Sequence, residues 1–357
     1  MAGSIRIREA EPGDNEALLG LEMRCPQGTE LVFQFDRSPD FFARSMPYER
    51  GWTFVAEEGG QIVGSIECAL REAYVEGVMC KAMYAFGIMV DPEHRRKGIA
   101  SMLQAEVDGV ADRLDADLMY AFIVEENVPS LRMVEKMGYL PWKNVRENLL
   151  IAYKEGEIAS PSNVRLLRMD DVPEVVKMIN GMYVDHDFWL PLTEESFLAY
   201  VERMPHYGLE DIFVYEDGGK ITAVLGSWEY HRVLAPRVIK YNLRMRVQML
   251  MLRVMGLFTR VPKMPGFGER SLQIILTPLA YRDLEGCREL LRHVNNLAIK
   301  EGVHFVTLVC EVGSPLEELM GGYRHTTVTV HQMVKPLKGQ VYESPSSRRL
   351  YMNVEDV

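Results

Sequence analysis

Ala85-Phe86-Gly87-Ile88-Met89-Val90-Asp91-Pro92-Glu93-His94-Arg95-Arg96-Lys97-Gly98-Ile99-Ala100-Ser101 decides how this chain is read. The apolar run Met83–Val90 is a strand, and Asp91-Pro92 stops it. Ile99, Leu103, Val107 and Val110 then recur at helical spacing, so a helix runs from about Gly98 to Leu114. A strand, a tight turn and a helix start bring unpaired backbone N–H groups together with the positive end of a helix dipole. That arrangement suits a pyrophosphate. Gly98 and Ala100 leave room for oxygens to reach the backbone, and Arg95, Arg96 and Lys97 add positive charge. Taken alone, the same residues also describe an ordinary helix with a solvated basic start.

The elements on either side alternate in type. A strand at Ile5–Glu9 precedes a helix from about Asp14 to Arg24, ended by Cys25-Pro26. A short helix is expected at Asp40–Met46. Thr53–Glu57 and Gln61–Arg71 form a hairpin across Glu58-Gly59-Gly60. Downstream, Leu118–Val124 is a strand and Pro129–Met137 a short helix ended by Gly138. Two further strands, Tyr139–Val145 and Asn148–Tyr153, close the sheet.

The pattern then returns. Phe54-Val55-Ala56-Glu57-Glu58-Gly59-Gly60-Gln61-Ile62 is echoed by Phe213-Val214-Tyr215-Glu216-Asp217-Gly218-Gly219-Lys220-Ile221, and Gly138-Tyr139 by Gly322-Tyr323. A period this long marks a duplicated domain, not a solenoid. The expected division is a first domain at 1–153, a linker at 154–163, a second domain at 164–338 and an extended tail at 339–357. The second domain carries a basic helical insert at 236–264. From Arg237 to Lys263 the insert has seven basic residues and no acidic one, and its basic positions fall on opposite sides of a helix. That favours a helix between the domains over one lying on a membrane. Leu350, Met352 and Val354 alternate as in a strand that adds to a sheet edge or lies between the halves. With Pro92 aligned to Pro278, the second copy sets Arg282-Asp283-Leu284-Glu285-Gly286 against the basic loop, and its two carboxylates would repel a phosphate.

The 357 residues fit two domains, and 47% hydrophobic with 25% charged residues excludes disordered and low-complexity classes. A net charge of −11 argues against nucleic acid as the main partner. The longest apolar stretch, Val247–Phe258, is too short to span a bilayer. Arg6, Arg8, Glu9 and Glu11 interrupt any signal peptide, and five unclustered cysteines fit a reducing compartment, so a cytoplasmic protein is expected. No spacing suggests a metal site.

The element order, the Val-x-Pro before the basic loop, and Asn127 followed by Lys136-Met137-Gly138-Tyr139 resemble the GCN5-related N-acetyltransferase (GNAT) superfamily. Cys25-Pro26-Gln27-Gly28, Tyr84-Ala85-Phe86-Gly87, the duplicated layout, the insert and the tail beginning Ser344-Pro345 extend the likeness to the plant hookless-like N-acetyltransferases. The resemblance implies an α/β (α+β) fold: two tandem GNAT units, each a mixed, mostly antiparallel twisted sheet flanked by helices. It also implies acetyl-coenzyme A (acetyl-CoA) as cosubstrate. The loop Arg95, Arg96, Lys97, Gly98, Ile99, Ala100 and Ser101 would hold its pyrophosphate. Backbone groups of Ile88, Met89 and Val90 on a splayed strand would meet the pantetheine arm, together with Asn127. Asn127 reads equally as the N-cap of the helix bearing Pro129.

This chain departs from that family at two points. Val134 stands where many members carry a tyrosine that protonates the departing thiolate, and Phe86 and Gly87 stand near the position of a carboxylate base. Glu67 and Tyr84 are the candidates left for acid–base work. The expected activity is transfer of acetyl from acetyl-CoA to a primary amine by direct attack, within the first domain. A non-catalytic acetyl-CoA sensor or adaptor, and transfer of a longer acyl group, are the alternatives. Cys25, Cys68 and Cys80 lack a histidine partner and read as buried hydrophobes rather than nucleophiles.

Overall fold

The computed structural model describes residues 4–28, 31–153, 162–241, 262–338 and 346–356, together with Val247, Leu250, Met251, Val254 and Met255. Its strands are β1 (Arg6–Glu9), β2 (Val32–Asp36), β3 (Gly51–Glu58), β4 (Gln61–Val75), β5 (Val78–Val90), β6 (Leu118–Val124), β7 (Leu140–Ile151) and β8 (Val164–Leu166). They continue with β9 (His186–Asp187), β10 (Ile212–Asp217), β11 (Lys220–Trp228), β12 (Ala235–Lys240), β13 (Gln273–Tyr281), β14 (Phe305–Glu311), β15 (His325–Pro336) and β16 (Arg349–Leu350). The helices are α1 (Asn15–Arg24), α2 (Ile99–Arg113), α3 (Val128–Lys136), α4 (Val172–Tyr183), α5 (Glu194–Arg203) and α6 (Leu284–Glu301).

Twelve strands form one mixed, mostly antiparallel sheet in the order β1-β3-β4-β5-β6-β15-β7-β14-β13-β11-β10-β8. Only β5–β6 and β13–β14 pair in parallel within it. The strands that close the two halves are exchanged: β15 lies against β6, and β7 lies against β14. Instead of two short strands at 139–145 and 148–153, β7 is a single strand. Arg146-Glu147 reads like a turn, yet both residues pair with β14 on one side and β15 on the other.

The two halves repeat a charged device. Arg8 pairs with Asp14 at 2.7 Å and Glu57 at 3.0 Å, while Arg165 pairs with Asp171 at 2.6 Å and Glu216 at 2.7 Å. Each arginine thereby ties an edge strand to the start of the next helix and to the neighbouring strand. On one face of the sheet, Leu103, Val107 and Val110 of α2 pack on Ile66, Met83 and Met119. Leu290, Leu291 and Val294 of α6 pack on Leu276, Val306 and Leu308. The period of the apolar residues sets which helix face is covered. The opposite face buries Tyr84, Phe86, Tyr120 and Phe188 beneath Leu350 and Met352 of the tail.

Three further differences from the sequence reading have local causes. The hairpin β4–β5 extends to a two-residue turn, because Glu76 and Gly77 both take positive φ (53° and 78°), which matches the strand twist. Residues 236–240, assigned above to a helical insert, are strand: β12 pairs with β2, and Arg237 anchors that pair by bonding Asp36. Beyond it, Val247, Leu250, Met251, Val254 and Met255 are helical and exposed, and the rest of 242–261 lies outside the described residues. In the tail, β16 pairs with β9, and Met352 to Asp356 run on beneath the sheet as buried chain. Residues 339–345 and 357 lie outside the described residues.

Candidate active site

Strands β5 and β6 part company after one turn of pairing. Their parallel register covers only Ala82–Tyr84 against Leu118–Tyr120; thereafter β5 pairs with β4 alone and β6 with β15 alone. A bulge reinforces the parting. Ser65 opposes Met89 while Glu67 opposes Phe86, so Gly87 and Ile88 together face Ile66. Gly87 takes φ of 61°, and a Cβ there would come within 2.4 Å of Glu67 Oε2, so this position requires glycine. Ile88 and Val90 are half-buried. Met89 turns the other way and packs with Leu18, Leu21 and Cys25. The carbonyl of Val90 accepts from Arg95 Nε at 3.1 Å.

The loop after β5 is fixed by ion pairs. Arg24 donates to Asp91 Oδ2 at 2.7 Å, while His94 Nε2 and Lys97 Nζ each lie 3.1 Å from Glu58. Arg96 is exposed at positive φ (65°) and forms no ion pair among the described residues. Gly98, left-handed at φ 81°, is the N-cap of α2, and no side chain caps the helix. A Cβ on Gly98 would meet nothing within 4 Å. The first helical bond runs from Met102 N to Gly98 O at 3.1 Å, so the N–H groups of Ile99, Ala100 and Ser101 have no partner within the helix. These open donors, with Arg95 and Arg96 beside them, fit a pyrophosphate. Asn127 sits beyond the end of β6 and caps α3, its Oδ1 accepting from Ser130 N at 3.3 Å.

The second half lacks this site. Hairpin register makes Ala223–Tyr281 the counterpart of Gly64–Val90, so Pro278 corresponds to the bulge and not to Pro92 as the sequence alignment had it. Between β13 and α6 stand only Arg282 and Asp283, where the first half has the whole of 91–98. Asp283 caps α6 with its own carboxylate, which accepts from Glu285 N at 3.3 Å and Gly286 N at 3.2 Å. A Cβ on Gly286 would lie 2.8 Å from the Tyr215 ring. The carbonyl of Leu279, counterpart of Ile88, accepts from the Tyr183 hydroxyl at 2.7 Å.

Glu67 is fully buried and both its oxygens are engaged. Oε2 accepts from Arg37 Nη1 at 2.6 Å and Oε1 from Ser45 Oγ at 2.8 Å. Arg37 Nε also lies 3.0 Å from Glu22, whose carboxyl burial pushes upward against the pull of Arg37. Tyr84 stacks between Phe86 and Tyr120, with ring centroids at 4.7 and 4.9 Å, and its hydroxyl donates to the Asp356 carbonyl at 2.6 Å. Burial drives that phenol well above its ordinary range. Val134 is buried in the α2-side core. All five cysteines are free and buried, and burial pushes Cys68 up to about 12. No group of three metal-ligating side chains occurs among the described residues.

Sequence reasoning missed the tail acids. Asp356 Oδ1 accepts from Tyr48 at 2.9 Å and Oδ2 from Tyr120 at 3.0 Å, with Arg71 at 3.4 Å. Glu355 accepts from Tyr200 at 3.0 Å. Burial raises both carboxyls, and Arg71 opposes it. The alternation of Leu350, Met352 and Val354 was the only signal that this segment lies inside.

A family model for the acetyltransferase (GNAT) family matches residues 16–139, from the first helix to the residue before β7. Residues 16–139 are thus the segment that resembles the GNAT family. Over 71 residues the chain is 31% identical to the catalytic subunit NAA20 of the N-terminal acetyltransferase B complex of Arabidopsis thaliana; the match spans 20% of this chain and 38% of that protein. The whole fold is similar to Saccharomyces cerevisiae N-myristoyltransferase with bound myristoyl-CoA and inhibitors: TM-score 0.62, 14% identity, 98% of this chain and 87% of that one. It is also similar to a GNAT protein from Sphaerobacter thermophilus, with TM-score 0.57, 13% identity and coverage of 96% and 98%. At these identities the likeness is one of fold, and it extends over both halves. The splayed strands and the open helix start both lie inside the matched segment 16–139.

Proposed function

We propose that the protein is an acyltransferase of GNAT type that moves acetyl from acetyl-CoA to a primary amine, with the coenzyme bound in the first half. The observation that carries this is the uncapped start of α2 beside the splay of β5 and β6. In this reading Ile99, Ala100 and Ser101 N–H with Arg95, Arg96 and Lys97 hold the pyrophosphate, and backbone groups of Ile88 and Val90 meet the pantetheine arm. The neutral amine attacks the thioester carbonyl carbon. The C–N bond forms as C–S breaks, the nitrogen gives up one proton to water, and the sulfur leaves as thiolate. Proximity can supply several kcal/mol of the barrier. Glu67, held by Arg37 and Ser45, acts by shaping the bulge at Gly87 and by its charge, and Tyr84 acts by fixing the tail. In this reading, the tandem arrangement follows the sequence resemblance to the hookless-like N-acetyltransferases, and the second half shapes the acceptor side.

An adaptor that binds acetyl-CoA without turnover is favoured by one observation, the full engagement of Glu67 and Tyr84. Incubating the protein with acetyl-CoA and a library of primary amines separates the two readings. Coenzyme A thiol release matched by acetylated amine in the mass spectrum is expected. Tight binding without thiol release would leave the adaptor reading standing instead.

A further inference from the structure

We propose that the recess on the tail-covered face of the sheet is the acceptor subsite, and that the Glu147 carboxylate receives a second, positively charged group of a small amine acceptor. This deepens the transferase reading and rests on it. Glu147 lies on β7 directly opposite Val328 of β15 and Val309 of β14. Residues opposed in this way share a face. That face continues across Val330 to Tyr120 and Phe122, which line the splay. Glu147 lies in the middle of a continuous sheet with a strand paired on either side, yet it remains half-buried rather than sealed. The same holds for Phe122, Val309, Val328, Tyr48 and Arg44, so these side chains wall a recess that reaches the splay.

Charge gives the recess its direction. The other acids on this face are partnered: Glu67 by Arg37 and Ser45, Asp356 by Tyr48, Tyr120 and Arg71, and Glu355 by Tyr200. Glu147 has no hydrogen bond or ion pair among the described residues. Burial pushes its carboxyl up to about 7, and Arg44 is the group that opposes this. An unpaired carboxylate at this depth is costly, and an arriving cation would relieve that cost. Arg44 stands at the other end, with its guanidinium 5.1 Å from the Phe86 ring centroid beside the splay. Tyr230, buried on the same face, senses Arg44, Glu147 and Glu67 but carries no charge in the neutral range, because burial raises its phenol. The recess thus favours positive charge at the Glu147 end. Strand spacing and register put Glu147 Cα roughly 16 Å from Phe122 Cα, so a long, extended acceptor such as an eight-carbon diamine is needed to reach from one toward the other.

The test is a charge series at constant length: 1,8-diaminooctane, octylamine and 8-aminooctanoate, each offered with acetyl-CoA to the wild type, Glu147→Gln and Glu147→Lys. The wild type should prefer the diamine over octylamine by at least tenfold in kcat/KM, with the amino acid poorest. In Glu147→Gln the diamine-to-octylamine ratio should fall to near one, and Glu147→Lys should rank the amino acid first. Acetyl-CoA affinity by calorimetry should be the same in all three proteins. An unchanged ratio in Glu147→Gln, or no diamine preference in the wild type, overturns the proposal. If no amine is acetylated, the transferase reading fails, and the subsite is decided by calorimetry of 1,8-diaminooctane with the acetyl-CoA complex. Binding lost in Glu147→Gln supports it, and binding absent or unaltered overturns it.

Discussion

The Tyr84 hydroxyl donates to the main-chain carbonyl of Asp356 at 2.6 Å, joining the strand that enters the splay to a residue 272 positions later. The bond is fully buried, and it fixes Tyr84 toward the tail. Tyr84→Phe should therefore cost about 1 kcal/mol of stability in urea unfolding, the usual scale for one buried hydrogen bond, while acetyl-CoA affinity stays the same. A variant as stable as the wild type would show that the tail is not held here.

Arg37 is the cation between Glu22 at 3.0 Å and Glu67 at 2.6 Å, and all three side chains are buried. Arg37→Met leaves two carboxylates without their counterion, so a loss of about 3–5 kcal/mol is expected. Combining it with Glu67→Gln should recover part of that loss in a double-mutant cycle. Purely additive costs would mean that the triad is not coupled.

Gly87 joins the bulge to the acid beneath it. In Gly87→Ala the new methyl must both hold φ near 61° and displace Glu67 Oε2, which lies 2.4 Å from the ideal Cβ. Turnover should fall by at least tenfold and the melting temperature should drop, with the far-UV dichroism unchanged. Wild-type turnover would show that the bulge is not part of the site.

The pH dependence of stability tests Glu147. Its carboxyl rises from an ordinary 4.5 to about 7 in the folded chain, so proton binding favours folding. That contribution is whole below about 4.5 and is lost as the pH climbs through 7. Relative to Glu147→Gln, the wild type should lose up to about 3 kcal/mol between pH 5 and pH 8. A constant difference across that range would place Glu147 in water.

The basic loop and the hairpins were legible because turn chemistry and periodicity are local. Gly98, Gly59-Gly60 and the spacing of Ile99, Leu103 and Val107 each specify their own conformation. Exchange of β7 and β15 left no trace in the sequence, since either strand presents the same alternating pattern to either neighbour. The six-residue shortening ahead of α6 was masked by Pro278, which imitates Pro92 in sequence but sits at the bulge. The burial of Glu355 and Asp356 left no sign in the sequence, because their partners, Tyr48, Tyr120 and Tyr200, lie more than 150 residues away.

The central claim is one coenzyme site per chain, at the open start of α2, with the counterpart at α6 closed by Asp283 and Tyr183. Isothermal calorimetry of acetyl-CoA with the wild type and Gly98→Glu tests it most directly. One site per chain, lost in Gly98→Glu while the melting curve stays cooperative, is the predicted result. Two equivalent sites, or undiminished binding by Gly98→Glu, would contradict it.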